Sequence, residues 1–594
     1  MKNLTFTKYI IGILCSIFFV SCQEEFLEEV NPNEISTASF WKNNADLESG
    51  LNAVYNGLAN TNLTNLRAGY NRSDLTWPGF GRPNTDDPFY THSFNDATPD
   101  LNRKWEALYV GIFRANQVIE NGQRLIDSYS DEEQMAAANV MVAQARFLRG
   151  LFYFYLYTTY NDGSVPLIDF VPKSEEEFFQ PLTPAEEIRS FYLADLEFAY
   201  ENLPPTWTEN INTGKVDAAA AAAVLGKSYL YEENYEQANV YFEDVLTNGD
   251  YGLSLVSNIG LNFSLAGEFN SESILEISYN ADFKPELSPY APQQVSNNYG
   301  RLFAPTPHGG FRAVLPSAWI NIAYKNDPID TSDPRNYIEV TSTDANGNEV
   351  VSTELRKYSL RTSASIALID DLSTDYYNEP PYAAVFNNNE PGYWKKHTNW
   401  RTVSTEVELG PNNSGINFRL IRLADVYLMS AECLIKGGTD NSGVDAAMEL
   451  INEVRHRSAL QLIGMKGTGQ YPEADHDGES YDAQKLMDHL MFVERPLELA
   501  MEGHEIRFLD LRRWGIVKER FEDLATRAYY GTNYPYIDDE GLQKNAWGSV
   551  LLVGEHPEGL FTYRDYQQAA QNYIPSEHAY YPIPNSETIA NPNF

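Results

Sequence analysis

Between residues 217 and 253 the chain reads DAAAAAAVLGKSYLYEENYEQANVYFEDVLTNGDYGL, its most regular stretch. Apolar residues recur every three or four positions on both sides of a polar break, which is the pattern of two amphipathic helices joined by a short turn. A single hairpin of this kind cannot bury its apolar face alone, so further hairpins must pack against it. Residues 114–160, 184–202 joined to 217–247, and 418–460 all supply paired amphipathic helices, irregularly spaced. The expectation is a mainly α fold.

Leu225-Gly226 followed by Tyr229, then Ala238 followed by Phe242, fits the spacing of a tetratricopeptide-like helical hairpin. Small residues at the crossing point let the two helices approach closely. Helical periodicity also covers 37–65, 103–160, 418–460 and 483–515, whereas 67–102 is aromatic and rich in Gly and Pro. A connection that long is functional when its composition is not that of a disordered segment. From 254 to 415 Pro, Gly, Asn and Ser punctuate short β-prone pieces such as SILEISY and NYIEVTS, so loops, short strands and isolated helices are expected there. The closing YYPIPNSETIANPNF reads as extended and proline-bounded.

At the other end, Lys2 and Lys8 precede an apolar run from Tyr9 to Val20, followed by Ser21 and Cys22, the order of a secretory signal peptide. The run is too short to span a bilayer, which takes about 20 apolar residues. The sequence VSC resembles the bacterial lipobox, with Phe19 as a departure from its commoner residues. That resemblance implies removal of residues 1–21 and acylation of Cys22, and several acyl chains anchor a protein stably. The acidic QEEFLEE that follows resembles the surface-export signal of many lipoproteins of the Bacteroidetes, and it also reads as a solvated tether over 22–36.

The formal net charge is −40, so the field of the protein repels nucleic acid and anionic lipid and favours neutral or cationic partners. With 43% hydrophobic and 13% aromatic residues the chain can bury a large core. Once Cys15 leaves with the signal and Cys22 is acylated, only Cys433 remains, which excludes an intramolecular disulfide. Its setting, RLADVYLMSAECLI, makes it a small core residue. The His residues show no HExxH spacing, and no cofactor or metal is expected. The loop NDPIDTSDPR offers Asp327, Asp330 and Asp333 to calcium, but its prolines and lack of EF-hand spacing favour a solvated turn.

Residues 494–515 read ERPLELAMEGHEIRFLDLRRWG. The pattern predicts a helix started by Pro496, with Glu498 and Glu502 one turn apart, followed by Arg507, Asp510, Arg512 and Arg513. The interleaved Leu, Met, Phe and Trp favour a structural ion-pair network over a catalytic acid pair. This stretch resembles a hallmark of the SusD/RagB family of outer-membrane nutrient-binding lipoproteins, although Pro496 and two extra residues between His504 and Arg507 depart from its commonest form. The segments FRLIRLADVYLMSAECL, GKVDAAAAAAVLGKSYLYEENYEQA, ARFLRGLFYFYLYTTYNDGSVPLI and YYPIPNSETIANPNF look like family segments, so the resemblance spans the chain. It implies a SusD-like scaffold of tetratricopeptide-like hairpins carrying a loop-rich irregular half. The corresponding division is a signal peptide (1–21), a tether (22–36), an N-terminal helical part (37–253), a variable region (254–415) and a C-terminal helical part with its tail (416–594). It also implies a binder rather than an enzyme, one that captures glycans or peptides at the cell surface beside a partner, the SusC-like TonB-dependent barrel.

Sugar rings pack their C–H faces on aromatic side chains, and their hydroxyls need amide, carboxylate or arginine partners. The loop SDLTWPGFGRPNTDDPFYTHSFND has that mixture, with Trp77, Phe80 and Tyr90 as platforms and Arg82, Asn84, Asp86 and Asp87 as polar partners. A second set is Tyr299, Phe303 and Phe311 in NNYGRLFAPTPHGGF. Trp319, Trp394 and Trp400 are alternatives for which packing roles are favoured. The competing functions are peptide binding, and a glycoside hydrolase with two carboxylates about 5–10 Å apart. No segment isolates one carboxylate in an apolar setting as a catalytic acid would need.

Overall fold

The structure, a computed structural model, describes residues 40–79, 86–282, 295–343, 348–384, 386, 389–402, 413–467, 469–556 and 560–594. Phe80, Arg82, Asn84 and the segment carrying Cys22 lie outside the described residues. The helical frame starts with α1 (Asn44–Leu58), α2 (Pro99–Ser128), α3 (Glu132–Thr159), α4 (Ala185–Asn202), α5 (Ala218–Tyr231) and α6 (Tyr235–Thr247), each packed on the next. It then passes over the middle of the chain, where the short α7 (Ala318–Lys325) lies, because α6 packs directly on α8 (Leu423–Gly437), which packs on α9 (Val444–Arg457). The mainly α expectation holds, and the irregular region is an insertion between two adjacent layers of one helical stack.

Local chemistry sets the boundaries of these helices. The helical reading of 103–160 resolves into α2 and α3, divided where Tyr129 turns extended and Asp131 accepts a hydrogen bond from the Gln134 amide at 2.9 Å. Asp217 caps α5 through the Ala220 amide and Asn234 caps α6 through the Gln237 amide. Ala218 to Ala223 are all buried, which lets neighbouring helices close on α5 without displacing a large side chain. Gly226 sits where α5 meets α6: a methyl group there would lie 2.5 Å from the Phe242 ring. Gly226→Ala is therefore expected to lower unfolding stability by about 1–3 kcal/mol, read from urea denaturation, and a neutral result would show that α6 shifts freely.

In the middle region the β-prone pieces become strands. The short strand β1 (Thr76–Pro78) has a later antiparallel partner in β3 (Val314–Pro316), and β2 (Ser273–Ile277) pairs with β4 (Phe418–Arg422). The other predicted piece forms the strand Tyr337–Thr343, paired with Glu349–Leu355. Further on come α10 (Ile506–Arg513), α11 (Val517–Thr526) and the hairpin of β5 (Tyr529–Ile537) and β6 (Gln543–Val553).

The expected single helix at 494–515 is broken. Pro496 lies in the short helix Arg495–Leu499, the chain leaves helical geometry at Ala500, and Met501, Gly503 and Glu505 all have positive φ before α10 begins. Glu498 and Glu502 thus do not share a helical face, yet both reach Arg422: Glu498 at 2.8 Å, and Glu502 at 2.5 Å from the guanidinium Nε. Around them Arg361, Arg455, Arg457 and Lys396 pair with Asp327, Glu272, Glu494, Glu498 and Glu502, all buried. The motif is the structural ion network its apolar neighbours suggested. Asp327 is taken by Arg361, Asp330 accepts from Ser332, and Asp333 pairs with Arg335, so these three carboxylates do not converge on a cation.

A second buried cluster ties the two ends of the chain together. Asp74 receives two hydrogen bonds from Arg507 and one from Arg520, while Glu505 pairs with Arg72 and Lys104 and accepts from Tyr581. Arg72 in turn donates to the carbonyls of His578 and Ala579. The closing stretch 580–594, expected to be extended, contains the short helix Asn585–Ala590, and two more, Gln567–Asn572 and Pro575–His578, precede it. Cys433 is buried on α8, and burial pushes its thiol well above the ordinary range.

Candidate ligand-binding face

Most of the aromatic residues singled out in the sequence are packing groups. Trp77 is fully buried in β1, opposite Leu315 of β3, with the Tyr563 ring 4.9 Å away. Tyr90 is buried against Tyr566, whose amide donates to the Tyr90 hydroxyl at 3.0 Å. Asp87 caps its own turn through the amides of Phe89 and Tyr90 and takes further bonds from Arg67 and Asn71. Tyr299 and Phe303 are buried together, with the Tyr299 hydroxyl 3.1 Å from that of Tyr279. These five are corrected from ligand contacts to interior residues, because the loops that bear them fold back on the helical frame. Trp319, Trp394 and Trp400 are buried as well.

Phe311 and Asp86 remain on the surface. Phe311 is 39% exposed and carries the Arg301 guanidinium 4.2 Å above its ring. Gly79 extends the β1–β3 pairing by donating to the Ala313 carbonyl, and a Cβ at this position would collide with the Arg312 carbonyl oxygen at 1.7 Å. Glycine alone permits this crossing, which sets Gly79 against the backbone of Arg312.

The Phe311–Arg312 stretch belongs to a larger face that the sequence reading passed over. Arg312 pairs with the buried Glu390 at 2.8 Å. Next to it the Asn389 amide donates to the Trp547 carbonyl at 3.0 Å, and the Tyr563 hydroxyl donates to the Asn389 carbonyl at 2.8 Å. Trp547, on β6, is 41% exposed; its ring lies 5.5 Å from that of Phe561, which packs edge-on to Tyr563 at 4.7 Å. On the adjoining strand Tyr536 lies 5.3 Å from Tyr382, both partly exposed. Trp547, Phe561, Tyr563 and Trp77 thus form one run of rings, and the adjacent residues Asn389 and Glu390 link it to Arg312, the neighbour of Phe311 in the chain. Ring faces beside a guanidinium, a carboxylate and an amide match the two halves of sugar chemistry, apolar C–H surfaces and directional hydroxyls. The signal available in the sequence was Trp547 directly before a glycine, in the stretch QKNAWGSVLLV.

Comparison with known proteins agrees with this architecture. Residues 271–594 match the SusD family, and residues 25–230 match a family described as starch-binding and associating with the outer membrane. The chain belongs to the SusD family. SusD-like protein P25 of Formosa agariphila is 25% identical over 544 residues, 87% of this chain and 92% of that protein. A SusD superfamily protein from Bacteroides vulgatus superposes with a TM-score of 0.68 at 22% identity, covering 93% of this chain and 98% of that one. Surface glycan-binding protein A from Bacteroides thetaiotaomicron, solved in complex with laminarihexaose, gives a TM-score of 0.61 at 19% identity, with 93% and 98% covered.

Proposed function

We propose that this protein is an outer-membrane lipoprotein, anchored through Cys22 and facing the cell exterior, that binds glycans and passes them to a SusC-like TonB-dependent transporter. The observation that carries the reading is the platform of Phe311, Trp547 and Phe561 beside Arg312, Glu390 and Asn389. Asp86, and Phe80, Arg82 and Asn84, which follow Gly79 in the chain, belong to the same proposed face. A relative of the same fold solved with laminarihexaose supports a saccharide as its occupant. Among the described residues no helix is long and apolar enough to cross a membrane. The reading is of a binder: the carboxylates of the 494–502 motif are each bonded to arginine or lysine.

The test is retardation of the purified chain in native gels containing individual plant, algal and storage polysaccharides, with each mixture assayed for new reducing ends. Retardation by one neutral glycan without new reducing ends is expected. Trp547→Ala should weaken it about tenfold or more while leaving the unfolding midpoint in place, since a half-exposed ring contributes little to folding. Equal retardation of wild type and W547A would remove this face as the site, and new reducing ends would make the protein a hydrolase.

A further inference from the structure

A cavity of about 320 Å³ opens between α2, the loop 165–183 and the C-terminal helix Asn585–Ala590, and none of its lining residues belongs to the face that carries Phe311 and Trp547. Trp105, Tyr109 and Phe113 line it at four-residue spacing, so one side of α2 presents three rings in a row. The Trp105 and Tyr109 rings lie 4.9 Å apart, and Phe178 of the loop stands 6.0 Å from Phe113. Trp105 is buried and forms the floor, whereas Tyr109, Phe113 and Phe179 are partly exposed and Phe178 is 45% exposed. A ligand can reach these rings directly.

The walls are held in place by their own hydrogen bonds. Val165 pairs with Thr183 across the neck of the loop, Asn116 of α2 donates to the carbonyls of Ile168 and Phe170 at 2.8 and 2.9 Å, and the Tyr109 hydroxyl donates to the Pro166 carbonyl at 2.8 Å. From the tail, Asn591 and Asn593 donate to the carbonyls of Gln180 and Phe179 at 2.9 and 2.5 Å. Preformed walls spare a ligand the cost of ordering them. The charge in the cavity has one sign. Glu106, exposed, and Glu587, half-buried, both line it, and no lysine, arginine or histidine does. Glu106 accepts from the Asn102 amide at 2.7 Å and Glu587 from the Trp105 indole at 3.3 Å; both donors are neutral, so the two negative charges are left without a counter-charge among the described residues. Carboxylates beside ring faces attract a cation both by charge and through the π quadrupole, and the net charge of −40 acts in the same direction. The volume stands at the small end of ligand sites, about 300–1,000 Å³, which selects a small cation on an apolar stem.

We propose that this cavity binds a small organic ammonium ion, its charged nitrogen held by Glu106 and Glu587 and its apolar stem lying among Tyr109, Phe113 and Phe178. The proposal does not depend on the glycan reading of the other face.

The probe is phenethylammonium, with 2-phenylethanol and phenylacetate as neutral and anionic counterparts of the same ring and similar length, each titrated into the purified chain at pH 7 by calorimetry and saturation-transfer NMR. The ammonium is expected to bind about tenfold or more tightly than the alcohol, and phenylacetate more weakly than either. Glu106→Gln combined with Glu587→Gln keeps the shape and an acceptor for the Trp105 indole but removes both charges. It should abolish the advantage of the ammonium while leaving the alcohol's affinity and thermal unfolding unchanged, a split that a merely structural role would not produce. Phe178→Ala should weaken the ammonium and the alcohol alike, by about threefold or more, since it removes one wall. An ammonium that binds no more tightly than the alcohol, or whose binding survives either variant unchanged, would overturn the proposal. Because polysaccharide retardation reads the other face, its persistence in these variants leaves the glycan reading standing whichever way the ammonium result falls.

Discussion

Glu498→Ala is expected to destabilise the protein by about 3–5 kcal/mol, because it removes one partner of a buried ion network and leaves the other charges uncompensated. Glu498 meets Arg457, lies 2.8 Å from Arg422 and 3.5 Å from Arg361, and all four side chains are buried. Glu272, Glu494 and Glu502 hold these arginines from their other sides, so the carboxylate cannot be replaced by water without opening the interior. Glu498→Gln keeps the shape and loses the charge, and should cost less than the alanine. The exposed pair Lys518–Glu522 is the control, and its removal should change stability by less than about 1 kcal/mol. Urea denaturation measures all three; a cost for E498A no greater than that of the surface pair would show that the network contributes specificity and no stability.

The same burial gives the protein an acid limit with a defined direction. Burial by itself would raise the pKa of Asp74, but Arg507 and Arg520 outweigh it and hold the group at about 2; Arg457, Arg422 and Arg361 do the same for Glu498, also at about 2. A carboxylate depressed in the folded state stabilises it above the ordinary unfolded pKa, near 4, and that contribution is lost as pH falls towards the folded value. Each of the two is worth on the order of 2–3 kcal/mol. Asp565 runs the other way. Burial raises it to about 7, against the Ala318 amide that donates to it at 2.9 Å, so it opposes folding increasingly as pH rises from about 4 to about 7. Unfolding free energy should therefore fall by several kcal/mol between pH 4 and pH 2 as Asp74 and Glu498 protonate, and the buried His92, His397 and His504, held below the ordinary imidazole range, add a loss that begins as pH falls through about 6.5. Guanidinium titrations across that range provide the measurement, and Asp565→Asn should gain stability relative to wild type as pH rises from about 4 to about 7, with Asp217 and Glu268, also raised to about 7 by burial, still opposing folding over the same range. A difference between D565N and wild type that stays constant from pH 4 to pH 7 would mean that Asp565 stays ionised in the folded protein.

The helical frame was legible because its signals are local. Apolar residues at every third or fourth position, Asp217 and Asn234 at helix starts, and Gly226 with Phe242 at a crossing each act within a few turns of chain. The break at Ala500 to Glu505 was not legible, since Glu498 and Glu502 keep helical spacing in the sequence. Their positions are set by Arg422 and Lys396, 76 or more residues away.

For the candidate site the division is sharper. Composition placed Trp77 in a loop fit for ligand contact and drew no notice to Trp547. The fold reverses the two, since β3 and Tyr563 cover Trp77 while the β5–β6 hairpin leaves Trp547 half open beside Asn389. The sequence by itself determined the helical scaffold, its hairpin crossings and the family the chain belongs to, all of which rest on short-range periodicity and contiguous motifs. Only the tertiary structure decided which aromatic rings face solvent, because burial is fixed by segments hundreds of residues apart closing over one another.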